Sequence, residues 1–326
     1  MSRYSVSRIE NEGMNIIALT DAEANACAEV VPQVGNNLYR FESGGRQVLV
    51  PPAKVSAFKD EEFADFRYGT PILFPPNRVR DGRFTYKGKA YQLPLNEPPH
   101  FHLHGEICSK AWRVVETGAS DEEGAYVVSE FRYAEHPEIL AYFPHPLTFT
   151  VTVRLLEGRL AFSGTIANEG EEEAPFAFGL HPYFSIPFGA GEEITLQVPS
   201  TAEWPVSNLA LVTGEPSMTD YSRSLNEGVS ISDYPQLGCS LLSLTAGESS
   251  TCRMFMNNRG YTIAYRFGPE FPYVVLFRPD WSSAYSLEPY TYVTDAFNLP
   301  YDQELTGAKG LGAGATFRFS TSMWVE

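Results

Sequence analysis

Period-two alternation over strand-length segments, closed off by glycine and proline, is the feature that most restricts how this chain folds. L-T-F-T-V-T-V-R-L-L-E (147–157) and R-L-A-F-S-G-T-I-A-N (159–168) alternate apolar and polar positions, and I-T-L-Q-V-P and T-F-R-F-S-T-S-M-W-V alternate likewise or carry β-branched and aromatic residues. Successive side chains of a strand face opposite ways, so such segments bury one face and wet the other. Helical periodicity is scarce. The 26 glycines and 24 prolines punctuate the runs, as in R-L-L-E-G-R-L and A-N-E-G-E-E-E-A-P, where the chain must reverse. The expectation is an all-β, antiparallel architecture. No fixed-period repeat supports a propeller or solenoid. The acidic run at 169–173 reads as a solvated turn rather than a linker, since like charges that close need water. Residues 1–326 are therefore expected to form one domain, a large β-sandwich.

Composition removes several functions. With 24 Lys and Arg against 40 Asp and Glu, the formal charge is −16, and its field repels nucleic acid. The four cysteines at 27, 108, 239 and 252 have no C-x-x-C spacing and read as reduced thiols. The first residues lack an apolar h-region, and no stretch reaches the roughly 18 apolar residues of a membrane span. A cytoplasmic protein with no membrane partner is expected. Twenty-two Phe and 18 Tyr supply core filler and flat surfaces suited to the apolar faces of sugars.

Two short motifs 107 residues apart carry the chemistry: G-L-H-P-Y-F, with His181, and S-L-E-P-Y-T, with Glu288. Each puts an ionisable group after an apolar, strand-like run. An imidazole and a carboxylate brought together there move protons in opposite directions at one substrate. Upstream, F-P-P-N-R-V-R-D-G-R-F-T-Y-K-G-K-A-Y-Q-L (74–93) has prolines that bar helix and a D-G hairpin signal, with F-T-Y and A-Y-Q-L as paired strands. Arg78 and Arg80 precede that turn, and alternation directs both to one face. A guanidinium fork holds two neighbouring hydroxyls or a carboxylate. H-F-H-L-H-G-E puts His100, His102 and His104 at alternate positions, where they line one wall as sugar donors, serve structure, or, with Glu106 and His181, form a cupin-like metal site. Gly105 breaks the strand and Glu106 follows too closely, so no metal is expected.

The ordered set N-R-V-R-D-G-R-F, L-H-G-E with A-W-R-V, F-G-L-H-P-Y-F, F-P-Y-V-V-L-F-R-P and S-L-E-P-Y-T-Y-V-T-D-A-F-N resembles the aldose 1-epimerase (galactose mutarotase) family over nearly the whole chain. The resemblance implies a galactose mutarotase-like supersandwich with a sugar in an open cleft. It makes His181 the general acid at the ring oxygen and Glu288 the general base at the anomeric hydroxyl, with Arg78, His104 and Asp233 holding sugar hydroxyls. Asp233 is carried over from V-S-I-S-D-Y-P, where the usual aromatic pattern is altered. G-E-I-C stands where the galactose-specific branch has a doubled glycine after its histidine. H-P-Y-F resembles less specialised relatives, including hexose-6-phosphate epimerases.

Acid/base chemistry alone suffices for this reaction: proton removal from the C1 hydroxyl with protonation of the ring oxygen opens the hemiacetal, and re-closure on the other face gives the other anomer. No nucleotide or other cofactor motif occurs, and none is expected. The expected activity is that of a cofactor-independent isomerase, an aldose 1-epimerase acting on a free aldohexose. The alternatives are a hexose-6-phosphate 1-epimerase, a non-catalytic carbohydrate-binding protein on the same fold, or a metal-dependent cupin-type enzyme. A free sugar is favoured because a dianion needs Arg78, Arg80 and Arg83 to converge, and Arg83 lies beyond the D-G turn.

Overall fold

The computed structural model describes residues 2–59 and 66–326. Leu147–Leu156 and Arg159–Asn168 form a hairpin through Glu157 and Gly158, both at positive φ, and pair along their whole length. In the first of these strands Phe149, Val151, Val153 and Leu155 are buried while Thr150, Thr152 and Arg154 are not, as period two requires. This hairpin lies within a nine-stranded antiparallel sheet. Its order is Arg113–Ser120, Gly124–Arg132, Leu147–Leu156, Arg159–Asn168, Thr316–Val325, Tyr261–Phe267, Ser250–Met256, Ile194–Gln197 and Val229–Ser230. The strand latest in sequence thus fills the middle, bonded to Arg159–Asn168 on one side and Tyr261–Phe267 on the other.

Two further large sheets, besides three two-stranded ones, are present among the described residues. Residues 4–47 make a five-stranded meander, joined to the site sheet by a bridge between Leu49 and Phe184. The site sheet runs Ser200–Trp204, Cys239–Leu244, Tyr273–Phe277, Ala284–Tyr290, Gly179–Leu180 and Ile72–Leu73, with Tyr183–Ser185 also paired to Ala284–Tyr290. One apolar cluster reaching from Tyr4 to Met323 includes residues of all three sheets. The fold is an all-β antiparallel sandwich. No helix among the described residues is long and apolar enough to cross a membrane.

The D-G expectation needs a correction. F-T-Y and A-Y-Q do pair, as Arg83–Tyr86 with Lys89–Gln92, but their two-residue loop is Lys87–Gly88, where both φ are positive. Asp81–Gly82 turns the chain out of Arg78–Arg80, which pairs instead with Phe101–Leu103. Either dipeptide suits a primed turn, and the partner strand decides which closes the hairpin. The acidic run is an irregular segment whose Glu172 and Glu173 hold Lys89 and Lys87 of that hairpin.

Ala284–Tyr290 is buried at every position because both of its faces are covered. Tyr285 and Leu287 join the main core, while Ser286, Glu288 and Tyr290 turn to the opposite side of the sheet. Gly179, across from Tyr290, is required there: a Cβ would lie 2.4 Å from the Tyr290 ring.

The main core is anchored by Phe149, which is 1% exposed, with its ring centroid 5.3 Å from those of Phe74 and Tyr133. Phe149→Ala is expected to cost about 3–5 kcal/mol, the range for a fully buried aromatic. Urea unfolding would register this as a lower midpoint at unchanged slope.

Candidate active site

Strand register brings the two ionisable motifs together. Gly179 lies opposite Tyr290, and Tyr183 opposite Ser286, so the intervening His181 faces Glu288 across the same strand pair. His181 Nε2 is 3.4 Å from Glu288 Oε1, and the side chains are 5% and 2% exposed. Tyr183 Oη is 3.1 Å from His181 Nε2, and Ser286 Oγ is 3.1 Å from Nδ1. Tyr290 donates its hydroxyl proton to Glu288 Oε2. The four side chains therefore form one buried chain, Tyr183, His181, Glu288 and Tyr290. The i, i+2 spacings H-x-Y and S-x-E-x-Y are the sequence signal that could have identified Tyr183, Ser286 and Tyr290, since alternate residues share a face.

Burial sets the protonation of the pair. It pushes Glu288 up to about 8, opposed by the Tyr290 hydrogen bond and by the positive charge of Arg78. It pushes His181 down to about 3. Both groups are neutral between those limits, because neither charge is favoured away from water. The carboxyl then holds the single proton that the two can exchange.

The pair sits on the floor of a cleft of about 300 Å³, the lower end of the range for small-ligand sites. Val275, Phe277, Leu103 and Trp281 supply apolar wall, and Cys239 lines it as well. His104 ends Phe101–Leu103 and takes φ +61°, followed by Gly105 at φ +74°. Gly105 permits no side chain, because a Cβ would fall 1.9 Å from the Phe74 carbonyl oxygen. The Asn77 backbone N–H donates to His104 Nδ1 at 3.1 Å. That leaves the proton of the neutral ring on Nε2, and burial keeps the ring neutral. The His104 ring is edge-on to His181, with centroids 5.3 Å apart. Arg78 also lines the cleft, with Nε and Nη2 donating to Glu97 at 2.5 and 2.6 Å.

His181, Glu288, His104 and Arg78 are thus brought together. Asp233 is not: it is exposed between buried Ile231 and Tyr234, whose ring packs on Tyr285, and it is absent from the cleft lining. Arg80 is 58% exposed, 3.7 Å from Asp295, and Arg83 bonds Gln92, so the three arginines do not converge. The three alternate histidines also diverge. His100 is exposed beside Asp81, His102 is buried with Nδ1 2.7 Å from the Pro94 carbonyl, and His104 has left the strand. Among the described residues no three His, Cys, Asp or Glu could hold a metal ion. Glu97 was missed because it lies outside any alternating strand.

Comparison with known proteins adds three findings. The family model described as aldose 1-epimerase matches residues 18–324. Among curated proteins, the uncharacterized Escherichia coli protein YihR is 27% identical over 181 residues, covering 54% of this chain and 53% of YihR. The chain thus spans about half the length of that relative. The uncharacterized YphB of the same organism is 24% identical over 78% of this chain and 83% of its own. Among solved structures, a galactose mutarotase-like protein from Clostridium acetobutylicum superposes with a TM-score of 0.88 at 24% identity, covering 99% of both chains. A galactose 1-epimerase from Lactobacillus acidophilus gives 0.78 at 15% identity, over 100% and 99%.

The buried carboxyl has a consequence for stability. Folded Glu288 keeps its proton to about pH 8, whereas in the unfolded chain it ionises near its ordinary 4.5. Folding stability is therefore lost as pH rises between those values. Glu288→Gln cannot ionise and escapes that loss. Its Tm relative to wild type is expected to climb from pH 5 to pH 8 and then level off, measured by calorimetry in matched buffers.

Proposed function

We propose that this chain, which belongs to the aldose 1-epimerase family, interconverts the α and β anomers of a free aldohexose by acid/base ring opening and re-closure. The observation that carries this reading is the buried cross-strand pair, His181 Nε2 at 3.4 Å from Glu288 Oε1, on the floor of a sugar-sized cleft. His104 Nε2–H and the Arg78 guanidinium are the hydroxyl-binding groups. Asp233, which is exposed and absent from the cleft lining, is not included among them. That Arg78, Arg80 and Arg83 take separate partners supports a neutral sugar over a sugar phosphate. Four free cysteines, two of them buried, suit a reducing compartment such as the cytoplasm.

The proton balance closes within the pair. In ring opening, Glu288 as carboxylate takes the proton of the C1 hydroxyl, C1=O forms, the C1–O5 bond breaks, and O5 takes a proton from the His181 imidazolium. The pair ends as carboxyl and neutral imidazole, the form that burial favours. Rotation about C1–C2 presents the other carbonyl face. In closure His181 takes the O5 proton and Glu288 returns one to the carbonyl oxygen, restoring the ionised pair. Each placed acid or base contributes roughly 10² to 10⁴ in rate, and no proton need reach solvent.

Saturation-transfer NMR on glucose and galactose is expected to show accelerated anomer exchange. Glu288→Gln and His181→Asn should each lose about two orders of magnitude or more in kcat. Near wild-type turnover in either variant would remove the role given to that residue, and sugar binding without acceleration would leave only a carbohydrate-binding protein.

The same exchange assay across pH checks the proton count. One transferable proton must reside on the pair. Above about 8 Glu288 loses it while His181 is neutral, leaving no acid; below about 3 both are protonated, leaving no base. kcat/KM is expected to be flat between those limits and to fall on either side.

A further inference from the structure

We propose that Glu97 is a specificity-determining residue of the cleft: with Arg78 it forms a charge-neutral plate that reads a pair of neighbouring hydroxyls on an uncharged sugar and turns away anionic ones. The inference rests on the sugar-binding reading above.

Glu97 lines the cleft with a third of its side chain exposed, and both of its carboxylate oxygens engage the Arg78 fork. Its position is fixed by the backbone. Glu97 and Phe101 exchange two N–H to carbonyl hydrogen bonds, each 3.0 Å. The neighbouring Asn96 side chain accepts from the Leu103 N–H at 2.6 Å and donates to the Leu103 carbonyl at 2.8 Å. The turn that carries Glu97 is therefore clamped to the strand that delivers His104.

The pair is not saturated by its own contacts. Of the five guanidinium N–H groups, two go to Glu97 and one to the Leu209 carbonyl at 3.1 Å, so two remain. Each carboxylate oxygen has taken one of the two hydrogen bonds it can accept. Donors and acceptors side by side match a diol, in which every hydroxyl gives one hydrogen bond and takes another. For an anion the same plate is unfavourable. Glu97 cancels the charge of Arg78 at contact distance and presents its own oxygens to the ligand, on a chain already at −16. Arg67, the other guanidinium lining the cleft, has its Cζ 5.0 Å from the centroid of the Trp281 ring.

The test is the dissociation constant of glucose and of glucose 6-phosphate, by NMR titration, for the wild-type protein and for Glu97→Gln, with anomer exchange measured in parallel. Loss of a charged acceptor is expected to weaken glucose binding about tenfold. Release of Arg78 should tighten 6-phosphate binding, so that the preference between the two ligands shifts by more than tenfold. An unchanged glucose affinity and an unchanged preference would overturn the inference. Should Glu97→Gln fail to melt cooperatively, Glu97→Asp decides instead: weaker glucose binding with the phosphate still excluded supports it, and unchanged glucose affinity refutes it. Wild-type protein that binds glucose without speeding exchange would refute the catalytic reading alone, since the binding ratios still decide the role of Glu97. Wild-type protein that neither binds nor exchanges any sugar refutes both.

Discussion

The chemistry proposed for this protein depends on an imidazole and a carboxyl facing each other across two paired strands in an environment that favours neither charge. Water would separate their roles, ionising Glu288 and leaving His181 half protonated near neutral pH. The sheet prevents this by closing the core side with Tyr285 and Leu287 and lining the cleft side with Val275 and Phe277. Proton position then becomes a property of the pair, and in the proposed reaction the hydroxyls of the entering sugar alter the balance. Ser286 at Nδ1 of His181 and Tyr290 at Oε2 of Glu288 leave Nε2 and Oε1 as the atoms that face each other.

Much of this was legible in the sequence, and the parts that were not have identifiable causes. The Leu147–Leu156 and Arg159–Asn168 hairpin follows directly from alternation and an E-G turn. His181 and Glu288 were conspicuous because each ends an apolar run within one of the ordered motifs that resemble the family; taken singly, either could have been structural. The three histidines at 100, 102 and 104 do not share one wall because alternation holds only while the backbone stays extended, and His104 leaves the strand at φ +61°. Lys87–Gly88 and Asp81–Gly82 were indistinguishable as turns, since strand partners far along the chain decide between them. Glu97 had no signal at all: its meaning comes from Arg78, which no periodicity relates to it.

Ion pairs around the cleft differ in kind from those elsewhere. Lys87 with Glu173 and Arg223 with Asp220 are exposed and contribute little, as side-chain entropy and solvent offset their attraction. Arg78 with Glu97 is bidentate and partly buried, the arrangement in which an arginine is held in one orientation. In the proposed reaction, rigidity at that wall and at the His181–Glu288 floor leaves the sugar as the component that must turn.

The placement of Thr316–Val325 in the middle of the nine-stranded sheet bears on how the molecule is made. During vectorial synthesis Arg159–Asn168 and Tyr261–Phe267 emerge with no strand between them, and each presents an unpaired inner edge to solvent. The largest sheet stays in two pieces until residue 325 has cleared the ribosomal tunnel. The interval between translation of residue 168 and emergence of residue 325 is therefore the stage at which the nascent chain is most open to pairing with another copy, and at which protection by a holdase would matter most.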